Sequence, residues 1–292
     1  MPRPQILSLP ERLDSHPAYR GRGVCMAFVD MGFYPHPDLT HPARRIRGYA
    51  DVTRSTPDPD DYFYPQPLSW HGTMTACVAA GNGYLSGGRY RGLASESEVV
   101  LLRIASAERR ITGKHVASAI RFAIRYPEMN IRVLNLSLGV NADDPDAEDV
   151  IEATREASEA GVVIFAAAGN NVDREPEPPG TSPYVITVGG FNDQNTNNPE
   201  AYEPWPSSYA RGDRGPQKPD LLAPAIWLPA PMLPGTITSR EARPLFDLLI
   251  LLEELASEQR LDLERRGPGA PRPPGVRAQG PRAGRPWPGG LS

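Results

Sequence analysis

Between about residues 23 and 226 the sequence alternates largely unbroken apolar runs of strand length with stretches of helical periodicity, a pattern that few folds accept. The runs are 24–29, 99–102, 133–138, 162–165 and 184–188. A strand with one wet face alternates apolar and polar residues, whereas a run without alternation belongs to a parallel sheet covered on both faces. The helical stretches fit between these runs. Residues 115–126 carry Val116, Ala119, Ile120, Ala123 and Ile124 at helical spacing. Residues 145–160 are acidic in their first turn and meet Gly161 as a C-terminal stop. The pattern predicts a doubly wound α/β fold, in which functional residues gather at the carboxyl edge of the strands.

Composition narrows the class. Of the 292 residues, 39% are hydrophobic, which is enough for a sizeable core. The formal net charge is -4, and with the four arginines of 267–292 set aside, 27 basic residues face 35 acidic ones, so no nucleic-acid partner is expected. The apolar stretch 245–255 is interrupted by Asp247, Glu253 and Glu254, too charged and too short for a membrane partner. The opening residues have no apolar core of a secretion signal, which predicts a cytoplasmic location. Cys25 and Cys77 have no CxxC spacing and read as buried reduced thiols.

Three places carry residues with chemistry. Asp30 ends the first run and precedes Met31-Gly32, where α/β enzymes place acids, although a carboxylate there is also an ordinary turn residue. His71 opens a small-residue segment that can be held tightly against a strand; alone, it reads sooner as an ordinary packed histidine. Ala168-Gly169-Asn170 follows an apolar strand and either aims an amide at a developing oxyanion or simply turns the chain.

Taken together, in the order Asp, His, Gly-Asn, the set resembles the subtilisin-like serine proteases, or subtilases, over about residues 23–225. Val29-Asp30-Met31-Gly32 is similar to the family's Asp box, with Met31 where Ser or Thr is usual. His71-Gly72-Thr73 is similar to its HGT box, and Ala168-Gly169-Asn170 to its oxyanion box. Three further segments match in order, beginning at Asn135, Ser182 and Lys218. The resemblance implies a three-layer α/β fold with a mostly parallel central sheet, and a polypeptide substrate. It implies that His71 exchanges a proton with a serine hydroxyl and that Asp30 holds its tautomer. Asn170 would donate to the oxyanion, and Leu136, Ser137, Leu138 and Gly139 would bind the substrate main chain as an added strand.

The family's serine stands in a Gly-Thr-Ser-x-Ala-x-Pro box after the Lys-Pro-Asp segment, and no such box follows Ala225. Gly180-Thr181-Ser182-Pro183 comes too early and runs into a strand. Ser239 is followed by Arg240-Glu241, too charged for a buried helix start, and Ser257 lies in a charged helical run. The catalytic serine is therefore unassigned, and this polypeptide is expected to have negligible peptidase activity. After Arg266 the composition turns abruptly to Gly, Pro, Ala and Arg, residues with GC-rich codons, as out-of-frame reading would produce. A frameshift or truncation that removes the serine box is the expectation; a natural tail on a pseudoenzyme is the alternative. The expected organisation is an N-terminal extension 1–22, an incomplete peptidase domain 23–240, an amphipathic helical segment 241–266 and a disordered tail 267–292.

The rival chemistries are weaker. His36 and His41 flank a proline turn rather than a ligand-bearing helix, so no catalytic metal is expected. No cofactor is expected either, except that Asp58, Asp60 and Asp61 share a loop that could hold a structural calcium or remain a solvated acidic loop. Glycine pairs such as Gly87-Gly88 do not form a nucleotide fingerprint. A peptide-binding scaffold without chemistry remains the competing class.

Overall fold

The computed structural model describes residues 6–54, 63, 65–105, 110–210 and 217–266. Among them an eight-stranded sheet is formed by β1 (Cys25–Asp30), β2 (Ile46–Asp51), β3 (Glu98–Arg103), β4 (Ile131–Leu136), β5 (Val163–Ala167), β6 (Ile186–Asn192), β7 (Glu203–Pro204) and β8 (Leu221–Pro224). The spatial order is β2-β3-β1-β4-β5-β6-β7, with β8 also pairing with β6. All pairings are parallel except that of β7 with β6. The helices are α1 (Leu9–Arg12), α2 (Pro37–Thr40), α3 (Ser69–Ala80), α4 (Gly113–Arg125), α5 (Ala147–Glu159) and α6 (Ile237–Arg266).

Burial explains why the strands read as unbroken apolar runs. Cys25, Ala27 and Val29 of β1, with Val100 and Leu102 of β3, join a core that contains Val116 and Ile120 of α4 and Val150 of α5. Phe28, Val99 and Leu101 point the other way, into a core with Ala76, Cys77 and Ala80 of α3. Successive side chains on one strand thus enter two different helical layers, and the expected mostly parallel α/β sheet sits between them. Both cysteines are free and buried, and burial pushes the Cys25 thiol up to about 11 and the Cys77 thiol upward as well.

Local signals set the element ends. Thr112 caps α4 by accepting a hydrogen bond from the His115 N–H at 3.4 Å. Gly161 follows α5 with φ +86°, the stop read from the sequence. Elsewhere the boundaries move. β6 starts at Ile186 rather than Tyr184, which is 40% exposed. α6 starts at Ile237 rather than 241 and runs through Pro244. β2 escapes an apolar-run search because it is an edge strand whose sequence, Ile-Arg-Gly-Tyr-Ala-Asp, is half polar.

The chain divides into two units, Met1–Ser239 and Arg240–Ser292. Within the first unit, the expected N-terminal extension is closely tied to the sheet domain. Ser8 and Glu11 form a capping box for α1, and Arg12 is fully buried against Asp193. The calcium candidates Asp58, Asp60 and Asp61, and the tail 267–292, lie outside the described residues.

Candidate active site

Because β1, β4 and β5 run parallel, the residues that follow them emerge at one edge of the sheet. β1 also pairs with β3, so connections leave in opposite directions on its two sides, which opens a crevice at the carboxyl ends. Asp30 closes β1 at this edge and is 4% exposed. Its Oδ1 accepts the Met31 N–H at 2.8 Å, and its Oδ2 lies 2.6 Å from His71 Nδ1.

The approach of His71 depends on its neighbours. A Cβ on Gly72 would stand 2.3 Å from the Gly32 carbonyl oxygen and 2.8 Å from Asp30 Cβ. Only glycine lets the first turn of α3 press this closely on the end of β1. Thr73 fixes the contact from the other side: its hydroxyl donates to the Ser69 carbonyl at 2.6 Å and accepts from the Tyr34 N–H at 2.9 Å.

The hydrogen bond to Asp30 pushes the His71 imidazole above its ordinary value; burial opposes this, and the Asp30 charge adds to the rise. With Nδ1 donating to the carboxylate, Nε2 of the neutral ring is an acceptor, and it makes no hydrogen bond among the described residues. The His71 side chain is 48% exposed. The pair is therefore arranged to take up a proton from outside.

Asn170 belongs to a second feature of the same edge. Gly169 has φ +105°, and a Cβ there would meet Ser208 Oγ at 2.6 Å. Ser208 clasps this turn: its N–H donates to the Gly169 carbonyl at 3.1 Å and its hydroxyl to the Asn171 carbonyl at 2.9 Å. Asn170 is exposed and lines a cleft of about 340 Å³ together with Ser137, Leu138, Gly139 and Glu177, the last of which lies against Gly139. Leu136 does not line it; its side chain is buried in the core at the end of β4. The structure thus brings Asp30 to His71, and Asn170 to residues 137–139.

The serines considered as nucleophiles are held elsewhere. Ser182 is buried, with its Oγ 2.7 Å from Thr154 Oγ1. Ser239 donates to the Thr236 carbonyl at 3.1 Å, and no serine among the described residues hydrogen-bonds His71. Ser257 lies within α6. The Lys-Pro-Asp segment is a tie between strands. Lys218 Nζ donates to the Val185 carbonyl at 2.8 Å and pairs with Asp220 at 2.7 Å, while Asp220 accepts the Thr187 N–H at 2.6 Å. Burial works to raise the Asp220 carboxyl, but these bonds outweigh it and hold the group below the usual range.

Among the described residues no group of three or more His, Cys, Asp or Glu could hold a metal ion. His36 instead caps α2, its Nδ1 accepting the Asp38 N–H at 3.2 Å, and burial pushes its pKa down. No helix among the described residues is long and apolar enough to cross a membrane. The supporting roles of Thr73 and Ser208 are not evident from the sequence. Thr73 was visible as part of a motif, whereas nothing local marks Ser208.

Comparison with known proteins gives a consistent picture. A family model described as Subtilase family matches residues 21–245. Serine protease AprX of Bacillus subtilis (strain 168) is 35% identical over 217 residues, covering 70% of this chain and 47% of that protein. Thermophilic serine proteinase of Bacillus sp. (strain AK1) is 32% identical over 171 residues, covering 58% of this chain and 39% of the relative. Subtilisin BL of Lederbergia lenta is 29% identical over 178 residues, 61% of this chain and 58% of the relative. The chain thus spans about half the length of the curated relatives it matches. The solved structure of Sphericase aligns with a TM-score of 0.57 at 23% identity, over 76% of this chain and 74% of that one, and shows the shared three-layer fold.

Proposed function

Since this chain belongs to the subtilase family, we propose that its sheet edge carries the proton-transfer and substrate-binding parts of a serine endopeptidase site. The observation that carries the reading is the 2.6 Å contact between Asp30 and a half-exposed His71 whose Nε2 has no partner among the described residues. In this reading His71 takes a proton from a hydroxyl nucleophile and returns it to the leaving amine. Asp30 holds the tautomer and stabilises the imidazolium. Asn170 donates to the tetrahedral oxyanion, an interaction whose loss costs roughly 2.7–4 kcal/mol in a relative of this family. An extended polypeptide lies main chain to main chain along 137–139.

We further propose that the 292-residue polypeptide as written binds such peptides but hydrolyses them negligibly. No serine in it stands in a Gly-Thr-Ser-x-Ala-x-Pro box. Loss of that serine alone lowers turnover by about six orders of magnitude in a relative of this family. A fluorophosphonate probe tests this directly. No stoichiometric labelling is expected; fast labelling that disappears in His71→Ala would mean that a working nucleophile exists. The competing reading is a peptide-binding protein whose Asp30–His71 pair has no chemical role. It is favoured if peptide binding needs the 137–139 wall but is indifferent to Asp30→Ala and His71→Ala, and if no peptide is cleaved when a nucleophile is restored.

A further inference from the structure

We propose that the cleft beside Asn170 receives a cationic side chain, Lys or Arg, of the bound peptide, and that Glu177 selects it. The inference rests on the reading that 137–139 bind a peptide main chain, and deepens it by naming the substrate class. A peptide that runs along this wall and presents a carbonyl to Asn170 places the side chain of that same residue between the two. That space is the cleft of about 340 Å³.

Glu177 supplies the cleft's chemistry. A Cβ on Gly139 would lie 3.1 Å from Glu177 Oε2, so the carboxylate rests against the Gly139 backbone, inside the wall. The backbone on either side is pinned there: the Gly180 N–H donates to the Glu177 carbonyl and the Val140 N–H to the Pro178 carbonyl, each at 2.7 Å. The carboxylate itself is half-buried and makes no ion pair or hydrogen bond among the described residues. A partly desolvated charge without a partner is costly, and covering it with an apolar or acidic side chain increases the cost. A guanidinium or ammonium group removes that cost and adds a charge-assisted hydrogen bond. Arg174 also lines the cleft, but it is exposed and makes no ion pair with Glu177; Glu175 adds a second carboxylate at the same rim.

The test uses the full chain and fluorescein-labelled Ala-Ala-Ala-X-Ala-Ala peptides with X as Arg, norleucine or Glu, read by fluorescence anisotropy at low and high salt. The Arg peptide is expected to bind about tenfold tighter than the norleucine peptide, and the Glu peptide weakest. Glu177→Gln, which keeps the shape, should abolish the preference while circular dichroism stays unchanged. Equal binding of all three peptides overturns the inference and leaves the peptide-binding reading intact. If none of them binds, it is the peptide-binding reading that fails. Benzamidine against benzyl alcohol then decides the charge selectivity alone, through the Gly139 amide shift. A benzamidine-specific shift that is lost in Glu177→Gln supports the cationic site, and its absence overturns it.

Discussion

Two contacts between a carboxylate and a basic side chain in this molecule have the same length and opposite surroundings. Arg12 lies 2.6 Å from Asp193, with both side chains 0% exposed. Its guanidinium also donates to the Trp227 carbonyl at 2.5 Å and the Ile226 carbonyl at 2.8 Å, so each of its three nitrogens is bonded inside the protein. His71 lies 2.6 Å from Asp30, which is equally hidden, but the ring is half-exposed and Nε2 is left unbonded among the described residues. The difference is one of saturation. A cation whose donors are spent on buried acceptors fastens α1 to the sheet domain. An imidazole with one nitrogen unbonded among the described residues is held in place and keeps a site at which a proton can be exchanged.

Removing Arg12 should break the comparison most visibly. Arg12→Met leaves Asp193 buried without its cation, and one-sided removal of a buried pair costs about 3–5 kcal/mol. Urea unfolding should show that loss, and pairing the change with Asp193→Leu should recover part of it, because the stranded charge is then gone. A loss under about 1 kcal/mol would show that the N-terminal helix is not fastened by this pair.

Gly72→Ala comes next, because it strikes the other contact through its support rather than its members. The new Cβ would overlap the Gly32 carbonyl oxygen, a backbone atom that cannot rotate away. Overpacking of this kind costs roughly 1–3 kcal/mol. The shift of α3 should also lengthen the Asp30–His71 bond, so the His71 pKa, followed by its ring proton shifts, should fall towards the ordinary value. Stability lost with an unchanged His71 titration would show that Gly72 serves packing alone.

The two contacts also differ in how legible they were. Asp30, His71 and Asn170 stand out as candidates because each sits at a strand end or helix start within a short recognisable motif, and parallel strands bring such ends to one edge. Arg12 falls in the expected N-terminal extension, and nothing local marks its guanidinium as buried, because its partner is 181 residues away. Ser208 carries no local signal for the same reason: it bonds a turn 37 residues earlier. The alternation of the strand turns the Leu136 side chain into the core, which does not bear on the main-chain role expected of it with its three neighbours. Short-range pattern reveals what a segment is, while long-range hydrogen bonding depends on a fold that has already formed.

The subtlest expected effect concerns pH and separates the two contacts by their protons. The folded pKa of His71 is raised above 6.5, chiefly by the hydrogen bond to Asp30. A group bound more tightly to its proton when folded adds stability below its unfolded pKa, and that contribution fades as pH rises through the folded value. The stability gap between the wild-type chain and Asp30→Asn should therefore be widest below pH 6.5 and narrow above it. The gap stays small throughout, because solvent screens a half-exposed ring. The gap between wild type and the paired change Arg12→Met with Asp193→Leu should stay flat over the same range, since the guanidinium it removes has no proton to give up there and no stranded carboxylate is left behind to take one. Urea unfolding from pH 5.5 to 8.5 reads both gaps on one set of proteins. An Asp30→Asn gap that widens with pH would mean that the folded state favours neutral His71, and the distinction between a fastening pair and a proton-exchanging pair would then be lost.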